Sequence, residues 1–328
     1  MIRDVPIQGW PKPFLVSGSH WGPRDNSHCP CGSLRRSRSC HMADDRRWLT
    51  PTPEPLLDDE PTGYSHPGCY AAASRDCSSK LTSEHWLSAS VLKALEPVTI
   101  SGAAWQAGGQ QSLPVTALGA NVLCERHNGA LSRLDATAGQ VFHVLRDYQG
   151  DLRAQSHPHG PEFALFDGLT LERWLLKLFW GGAAARVFGT DSGPIASLSD
   201  TVPPEDLVAA LFRGGSLPNG SGMFVTSRPD AVFSPQAEVD VSGFAEEGGR
   251  LREGSVAFGP VALRFSFGPP IEVAGRPVKQ HPQAILMRGS AAPTSQKILA
   301  LGWPDVGSRP VILTRQGDGT ALAHPSDV

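Results

Sequence analysis

The six cysteines of this 328-residue chain all lie within its first 124 residues, and several have a histidine close by. Disulfide frameworks are typical of small secreted domains, and this chain is longer than those. In a reducing compartment, clustered cysteines beside histidines favour a metal ion, above all zinc. The spacing therefore predicts two zinc sites.

The first predicted site lies in residues 28–41, which read HCPCGSLRRSRSCH. Two thiolates one residue apart, with a Cys-His pair further along, can supply the tetrahedron that Zn²⁺ prefers. The predicted ligands are Cys29, Cys31, Cys40 and His41. The string resembles the SEC-C motif, the zinc-binding tail first described in the SecA translocase, although Leu34 and Ser37 replace its usual glycine and aromatic residue. The resemblance implies an accessory module that contacts protein or nucleic acid.

The second predicted site draws on two distant segments, HPGCYAAASRDC at 66–77 and NVLCERHNGALSRLD at 121–135. They offer a C-x₇-C pair and a C-x₂-H pair, enough for a closed, structural zinc site. The predicted ligands are Cys69, Cys77, Cys124 and His127, with His66 as an alternative ligand for which a turn role is expected. Apolar residues at the helical period from Leu131 to Tyr148 predict a helix after the second pair, ending at Gly150.

A carboxylate-histidine pair, Glu84-His85, lies between the two segments, and Asn128 directly follows the last predicted ligand. This pattern resembles the HNH or ββα-metal nuclease finger, in particular the zinc-stapled branch that includes phage endonuclease VII-like resolvases. The resemblance spans residues 66–148. It implies that His85 is the general base and that Glu84 and Asn128 hold one divalent ion, Mg²⁺ or Mn²⁺.

The chain departs from that pattern in three places. Glu84 replaces the commoner aspartate, His127 replaces the last cysteine, and 38 residues separate His85 from Cys124. The first two changes conserve coordination chemistry, and the insertion affects the boundaries of the finger more than its identity.

The chemistry implied by the resemblance is the hydrolysis of a phosphodiester. Phosphodiester and hydroxide are both negative, so a bound cation must neutralise the developing charge. Neutral imidazole can take a proton from the attacking water.

Asp135 lies near the same helix face as Asn128 and is a candidate further ligand or supporting group, but an exposed carboxylate is expected. Trp86 could stack on a base, although packing under the finger is expected.

The overall class predicted is α+β, in four parts. Residues 1–48 form a small SEC-C-like zinc knob, 49–65 a stiff linker rich in proline and acid, and 66–150 the zinc-stapled finger. Residues 160–328 form a mixed, β-rich domain whose role is left open between target recognition, oligomerisation and shielding of the finger.

Within the last part, apolar spacing predicts two helices, one over 171–179 ended by Gly181-Gly182 and one opened by Pro203-Pro204. Alternation over 261–267 predicts a half-buried strand. Shorter strands are predicted at 285–286, 297–301 and 311–314.

Composition limits the classes of function. The formal net charge of −3 excludes a strongly basic coat protein, although a local groove for nucleic acid is compatible with it. No apolar run approaches the roughly 18 residues of a membrane span, and the first ten residues lack the apolar core of a signal peptide. A cytoplasmic protein without membrane contact is expected.

Three hypotheses follow. The leading one is an HNH-type endonuclease that cuts nucleic acid, with DNA as the expected substrate, and that has two structural zinc ions, a catalytic Mg²⁺ or Mn²⁺ and a protein contact through the SEC-C-like segment. The second is a non-catalytic zinc-finger adaptor for nucleic acid or protein, which the near-neutral charge mildly favours. The third is a hydrolase of another phosphodiester.

Overall fold

A computed structural model describes residues 14–15, 29, 31, 33–44, 47–106, 110–154, 162–190, 193–218, 220–226, 239–259, 261–270, 279–288, 296–304, 311–316 and 321–325. The α-helices are α1 (Ala89–Ala94), α2 (Glu125–Ala130), α3 (Ser132–Ala154), α4 (Gly168–Ala184) and α5 (Pro204–Phe212). Short 3-10 turns cover Ser37–Ser39, Ala72–Ser74 and Val115–Leu118. Within the described ranges, no helix combines the length and the apolar character needed to cross a bilayer.

The strands comprise β1 (Phe14–Leu15), β2 (Leu81–His85), β3 (Val98–Ile100), β4 (Gln111–Leu113), β5 (Gly119–Cys124), β6 (Glu162–Asp167), β7 (Gly189–Thr190), β8 (Gly193–Pro194), β9 (Gly222–Thr226), β10 (Val239–Ala245), β11 (Leu251–Phe258), β12 (Val261–Ser266), β13 (Lys279–Gln280), β14 (Ala284–Arg288), β15 (Gln296–Gly302), β16 (Val311–Gln316) and β17 (Ala321–Pro325). Helix and strand content are both substantial, as an α+β chain requires.

Two large sheets organise the second half of the chain. One is mixed, in the order β1-β6-β15-β14-β16-β17, with β6/β15 and β14/β16 parallel. The other is antiparallel, in the order β10-β11-β12-β9-β13. Helices α3 and α4 contact strands of both sheets, so a single core joins the predicted finger to the region that follows it.

Helix α4 is buried on every side, which is typical of a helix at the centre of a core. Its predicted end at Gly181-Gly182 is wrong, because the helix continues to Ala184. A Cβ at Gly182 would lie 2.6 Å from the ring of Phe188, so a glycine at this position of the helix allows Phe188 to pack closely against it. Helix α3 likewise continues past Gly150.

Strand β12 is also more buried than its alternating pattern predicts. All six of its residues are buried, because it is flanked by β11 and β9 and contacts α4. Arg264 is accommodated there by an ion pair with buried Glu253. The other predicted strands are confirmed as β14, β15 and β16, and the second predicted helix is α5.

The N-terminal zinc segment packs directly on the mixed sheet. Its cysteines share a buried cluster with Trp48, Leu165 and Ala300. The Trp48 backbone N–H donates to Gln283 Oε1 at 2.6 Å, and Leu49 pairs with Trp303. The described residues of the predicted knob from Cys29 onward therefore rest on the strands of the C-terminal region, and most of residues 1–28 lie outside the described ranges.

The proline-rich stretch after this segment is tied to α5. The backbone N–H groups of Leu56 and Leu57 both donate to the Phe212 carbonyl, at 2.9 and 3.0 Å. The Arg213 guanidinium donates to the carbonyls of Leu57 and Asp59, each at 2.8 Å. A stretch predicted to be a stiff spacer is thus held along one helix end.

Candidate metal centres and the strand-strand-helix finger

The predicted finger has the order of elements that its resemblance implies. Strands β2 and β5 pair antiparallel, with His85 opposite Gly119 and Leu81 opposite Cys124, and α2 begins at the next residue. The insertion between the strands folds into α1, β3, β4 and the turn at Val115–Leu118. His85 therefore lies at the end of β2 and Asn128 lies in α2.

The second predicted zinc set converges. The ligand atoms of its four buried members all lie within 4.8 Å of one another, the members being Cys69, Cys77, Cys124 and His127. His127 Nδ1 lies 3.8, 3.9 and 3.1 Å from the sulfurs of Cys69, Cys77 and Cys124. Ligands of a tetrahedral zinc stand about 3.5–3.8 Å apart. The set could hold one zinc ion, and its predicted grouping is confirmed.

The four predicted ligands differ in how readily they lose a proton. Burial lowers the pKa of His127 to about 4, so its imidazole is neutral and one ring nitrogen has a lone pair for a metal. Burial raises the pKa of Cys69 to about 12 and also raises that of Cys77, so these thiols would lose their protons only to a bound metal ion. Burial raises the pKa of Cys124, but hydrogen bonds from His127 and Ser78 lower it below the ordinary value overall. The Nε2 atom of His127 lies 3.2 Å from the Ser74 hydroxyl, a contact that orients the ring as outer partners of metal ligands do.

The first predicted set also converges, and its grouping is confirmed. The four residues are buried, and their ligand atoms all lie within 4.8 Å of one another. His41 Nδ1 lies 3.4 Å from Cys29 Sγ and 3.2 Å from Cys40 Sγ. A hydrogen bond from Cys29 lowers the pKa of Cys31 to about 3, so at least one thiolate forms readily. This set could hold a second zinc ion.

A buried carboxylate reinforces the second zinc set from outside. Asp76 precedes the ligand Cys77 and is ion-paired with both Arg213 and Arg126, the residue before His127. Arg126 also donates to Asp59 at 2.5 Å. The loop and the helix that supply the ligands are therefore joined by charge as well as by their metal-binding atoms.

We expect Asp76→Asn to destabilise the protein by about 3 kcal/mol. The buried Asp76 carboxylate pairs with both Arg126 and Arg213, so its loss leaves two arginines without that partner. Urea unfolding of the zinc-loaded protein measures the loss. The control Asp59→Asn, at a residue whose side chain is 58% exposed, should destabilise the protein much less, because solvent screens an exposed ion pair. Equal losses for the two variants would contradict a special role for Asp76.

His85 is held in a defined orientation. Its Nε2 lies 3.1 Å from the carbonyl oxygen of Val115. A carbonyl oxygen can only accept a hydrogen bond, so Nε2 carries the proton. Nδ1 then keeps a lone pair, and the side chain is half-buried. A carbonyl that fixes the neutral tautomer is what a histidine base requires.

Asn128 is fixed by both hydrogens of its amide. Nδ2 donates to Thr82 Oγ1 at 2.9 Å and to the Ser83 carbonyl at 3.2 Å. The side-chain oxygen is therefore the atom left for a further ligand. Because the bonds go to β2, the amide is tied to the strand that also carries His85.

Glu84 does not lie where the resemblance puts a ligand of the divalent ion. Its side chain is 3% exposed, and Oε1 lies 2.5 Å from the Lys177 ammonium. Neighbouring side chains on a strand point to opposite faces, so Glu84 turns into the core while His85 does not. Burial raises the pKa of Glu84 above its ordinary value even though Lys177 opposes this. The prediction that Glu84 coordinates with Asn128 is therefore corrected.

Asp135 also has side-chain partners inside the protein. Its Oδ1 accepts from Ser88 Oγ at 2.5 Å and lies 3.0 Å from Lys177 Nζ. The expectation of an exposed carboxylate is wrong, because α3 turns this residue toward α4.

Trp86 stands in edge-to-face contact with Phe188, at 6.4 Å between centroids, which confirms the packing role expected of it. His66 accepts from the Gly68 N–H at 3.0 Å and belongs to a turn.

Lys177 is the residue that the sequence analysis missed. It lies 92 residues beyond His85, outside the apolar stripe that predicts α4, and its side chain is fully buried. A lysine outside the apolar stripe of a helix is expected to face solvent, so the local spacing carried no signal of its burial. Lys177 is buried because α4 is surrounded by other elements on every side.

Comparison with known protein families, with curated proteins and with solved structures found no match. The class supported is thus an α+β protein with two Cys/His groups that could bind zinc.

Proposed function

We propose that the chain is a divalent-metal-dependent endonuclease of the ββα-metal type, with His85 as general base and Asn128 as the protein ligand of the catalytic ion. The observation that carries this proposal is the orientation of His85. A half-buried imidazole at the end of β2 is held through Nε2 by the Val115 carbonyl, which leaves Nδ1 as a base.

The proposed cation would be held by one protein oxygen together with water and the substrate phosphate. With both amide hydrogens of Asn128 committed to β2, its Oδ1 can serve as that oxygen ligand. Mg²⁺ keeps several waters and is usually bound through one or two carboxylates, so without Glu84 the negative charge at the site comes from the phosphate. A bound Mg²⁺ would supply neutralisation of the charge that develops on the phosphate. Glu84 is not part of this proposal, because Lys177 already neutralises it.

The residues of the chain divide the remaining work. His85 takes the proton of the attacking water at Nδ1, and the Val115 carbonyl stabilises the imidazolium that results. The second zinc set holds β2, β5 and α2 in register, so both side chains keep their places. DNA is the proposed substrate, and the segment around the first zinc set is a proposed contact for protein or nucleic acid.

The function is tested with supercoiled plasmid and purified, zinc-loaded protein, with Mg²⁺ or Mn²⁺ added. We expect nicking that requires the added ion. Asn128→Ala should reduce the rate by about 100-fold or more, because the ion then loses its protein ligand. Mn²⁺ binding followed by electron paramagnetic resonance should weaken in the same variant.

Glu125→Ala is the matched control, since Glu125 is exposed on the same helix and only pairs with Lys80 at 4.0 Å. It should cut like the unaltered chain. A protein that retards the plasmid in a gel without cutting it would instead support the zinc-finger adaptor. Cleavage of a small phosphodiester but not of the plasmid would support the third hypothesis.

A further inference from the structure

The ammonium of Lys177 occupies an oxygen cage at the base of the finger. Its Nζ lies 2.6 Å from the carbonyl oxygen of His85, 2.5 Å from Glu84 Oε1 and 3.0 Å from Asp135 Oδ1. The ammonium donates hydrogen bonds to the His85 carbonyl and to Asp135, and it contacts Glu84 as an ion pair. The side chain is 0% exposed.

The cage joins three parts of the molecule. Glu84 and the His85 carbonyl belong to β2, Asp135 to α3, and Lys177 to α4, in the region whose role the sequence left open. Ser88 extends the network, because it donates to Asp135 and accepts from the Trp174 indole at 2.8 Å. The C-terminal region therefore reaches the end of the strand that carries the candidate base.

Lys177 remains charged in this setting. Burial lowers its pKa, but Glu84 and Asp135 raise it by more, so that the pKa lies above its ordinary value. A charged donor gives a hydrogen bond that is shorter and about twice as strong as a neutral one. The carbonyl of His85 is thus held by one of the strongest donors that a protein can offer.

We propose that Lys177 is a positioning residue for the His85 base, a role that rests on the proposed function. Residue 85 is held at two points: Lys177 holds its main-chain carbonyl, and the Val115 carbonyl holds Nε2 of its ring. Because the backbone and the imidazole ring of His85 are both fixed, the lone pair of Nδ1 keeps a constant orientation. A misplacement of about 1 Å in a reacting group can cost about 100-fold in rate.

A purely structural role for Lys177 makes a different prediction. In that case the lysine would serve only to neutralise Glu84 and Asp135, and removing the buried Glu84-Lys177 pair together would restore the activity. Asp135 is 28% exposed and keeps its hydrogen bond from Ser88, so it can remain charged without the lysine. Lys177→Met alone leaves Glu84 as an unpaired buried carboxylate and should impair folding. The informative variant is therefore the double substitution Glu84→Gln with Lys177→Met, which leaves no unpaired charge on Glu84 and supplies no ammonium to the His85 carbonyl.

We expect the double variant to bind two zinc ions per chain and to regain most of the stability that Lys177→Met loses. Its kcat should fall by about 10- to 100-fold, with KM changed by less than about 3-fold. Lys93→Met is the control, because it makes the same substitution at an exposed lysine of α1. Its kcat should match that of the unaltered chain.

A double variant with unaltered kcat would overturn the proposal and leave Lys177 a structural residue. A second readout does not depend on cleavage. Nitrogen chemical shifts of the His85 imidazole should show one tautomer, protonated at Nε2, in the unaltered chain and a mixture in the double variant. If the unaltered chain does not cut DNA, the proposed function fails. An unchanged tautomer in the double variant overturns the positioning role separately.

Discussion

Replacing Cys124 with serine is expected to unfold the finger and to reduce the zinc content from two ions per chain to one. Cys124 is fully buried, ends β5 and directly precedes α2, so its sulfur connects the metal to both elements. Zinc bound to a structural site contributes about 10–16 kcal/mol to folding at neutral pH, far more than any single contact near it. Metal analysis and far-ultraviolet circular dichroism measure the two effects.

The matched control for this experiment is Ser74→Ala. Ser74 contacts the outer nitrogen of His127 and does not touch the metal position. Its loss should weaken zinc binding by about 10- to 100-fold while the finger stays folded at saturating zinc. A wild-type protein without any tightly bound zinc would remove both zinc assignments, and a fully folded Cys124→Ser variant would remove the second.

The second large effect is expected at the base itself. His85→Ala should reduce plasmid cleavage by about 100- to 10,000-fold, the usual contribution of a positioned general base. The side chain is half-buried and is hydrogen-bonded to the backbone carbonyl of Val115, so folding should change little when it is removed. Rates are compared at saturating Mg²⁺, with zinc content and thermal midpoint measured on the same preparation.

His143→Ala serves as the control for that loss, because it makes the same substitution at a half-buried histidine of α3, which contacts the Phe142 ring. It should leave cleavage unchanged. Equal activity of His85→Ala and the unaltered chain would mean that another centre, or a contaminating nuclease, does the cutting.

Glu84 faces the core and not the proposed ion site because of the geometry of a β-strand. Motif spacing puts Glu84 and His85 side by side, yet adjacent residues on a strand face opposite ways, and only one of the two can face a shared site. A bulge between Thr82 and Glu84 alters the register further. Which face is buried depended on α3 and α4, whose contacts lie far along the chain.

The sequence by itself predicted both Cys/His groupings, because short spacings keep the two members of each pair close together. For the second set, the antiparallel pairing of β2 with β5 is what brings the two pairs to one place. It also determined the apolar stripe of α3, since burial of one helix face follows from the period of the residues. Only the tertiary structure decided that Lys177 neutralises Glu84, that α4 continues through two glycines, and that the N-terminal zinc segment rests on the mixed sheet. These outcomes depend on contacts between distant segments, and local spacing carries no information about which distant surface a side chain will meet.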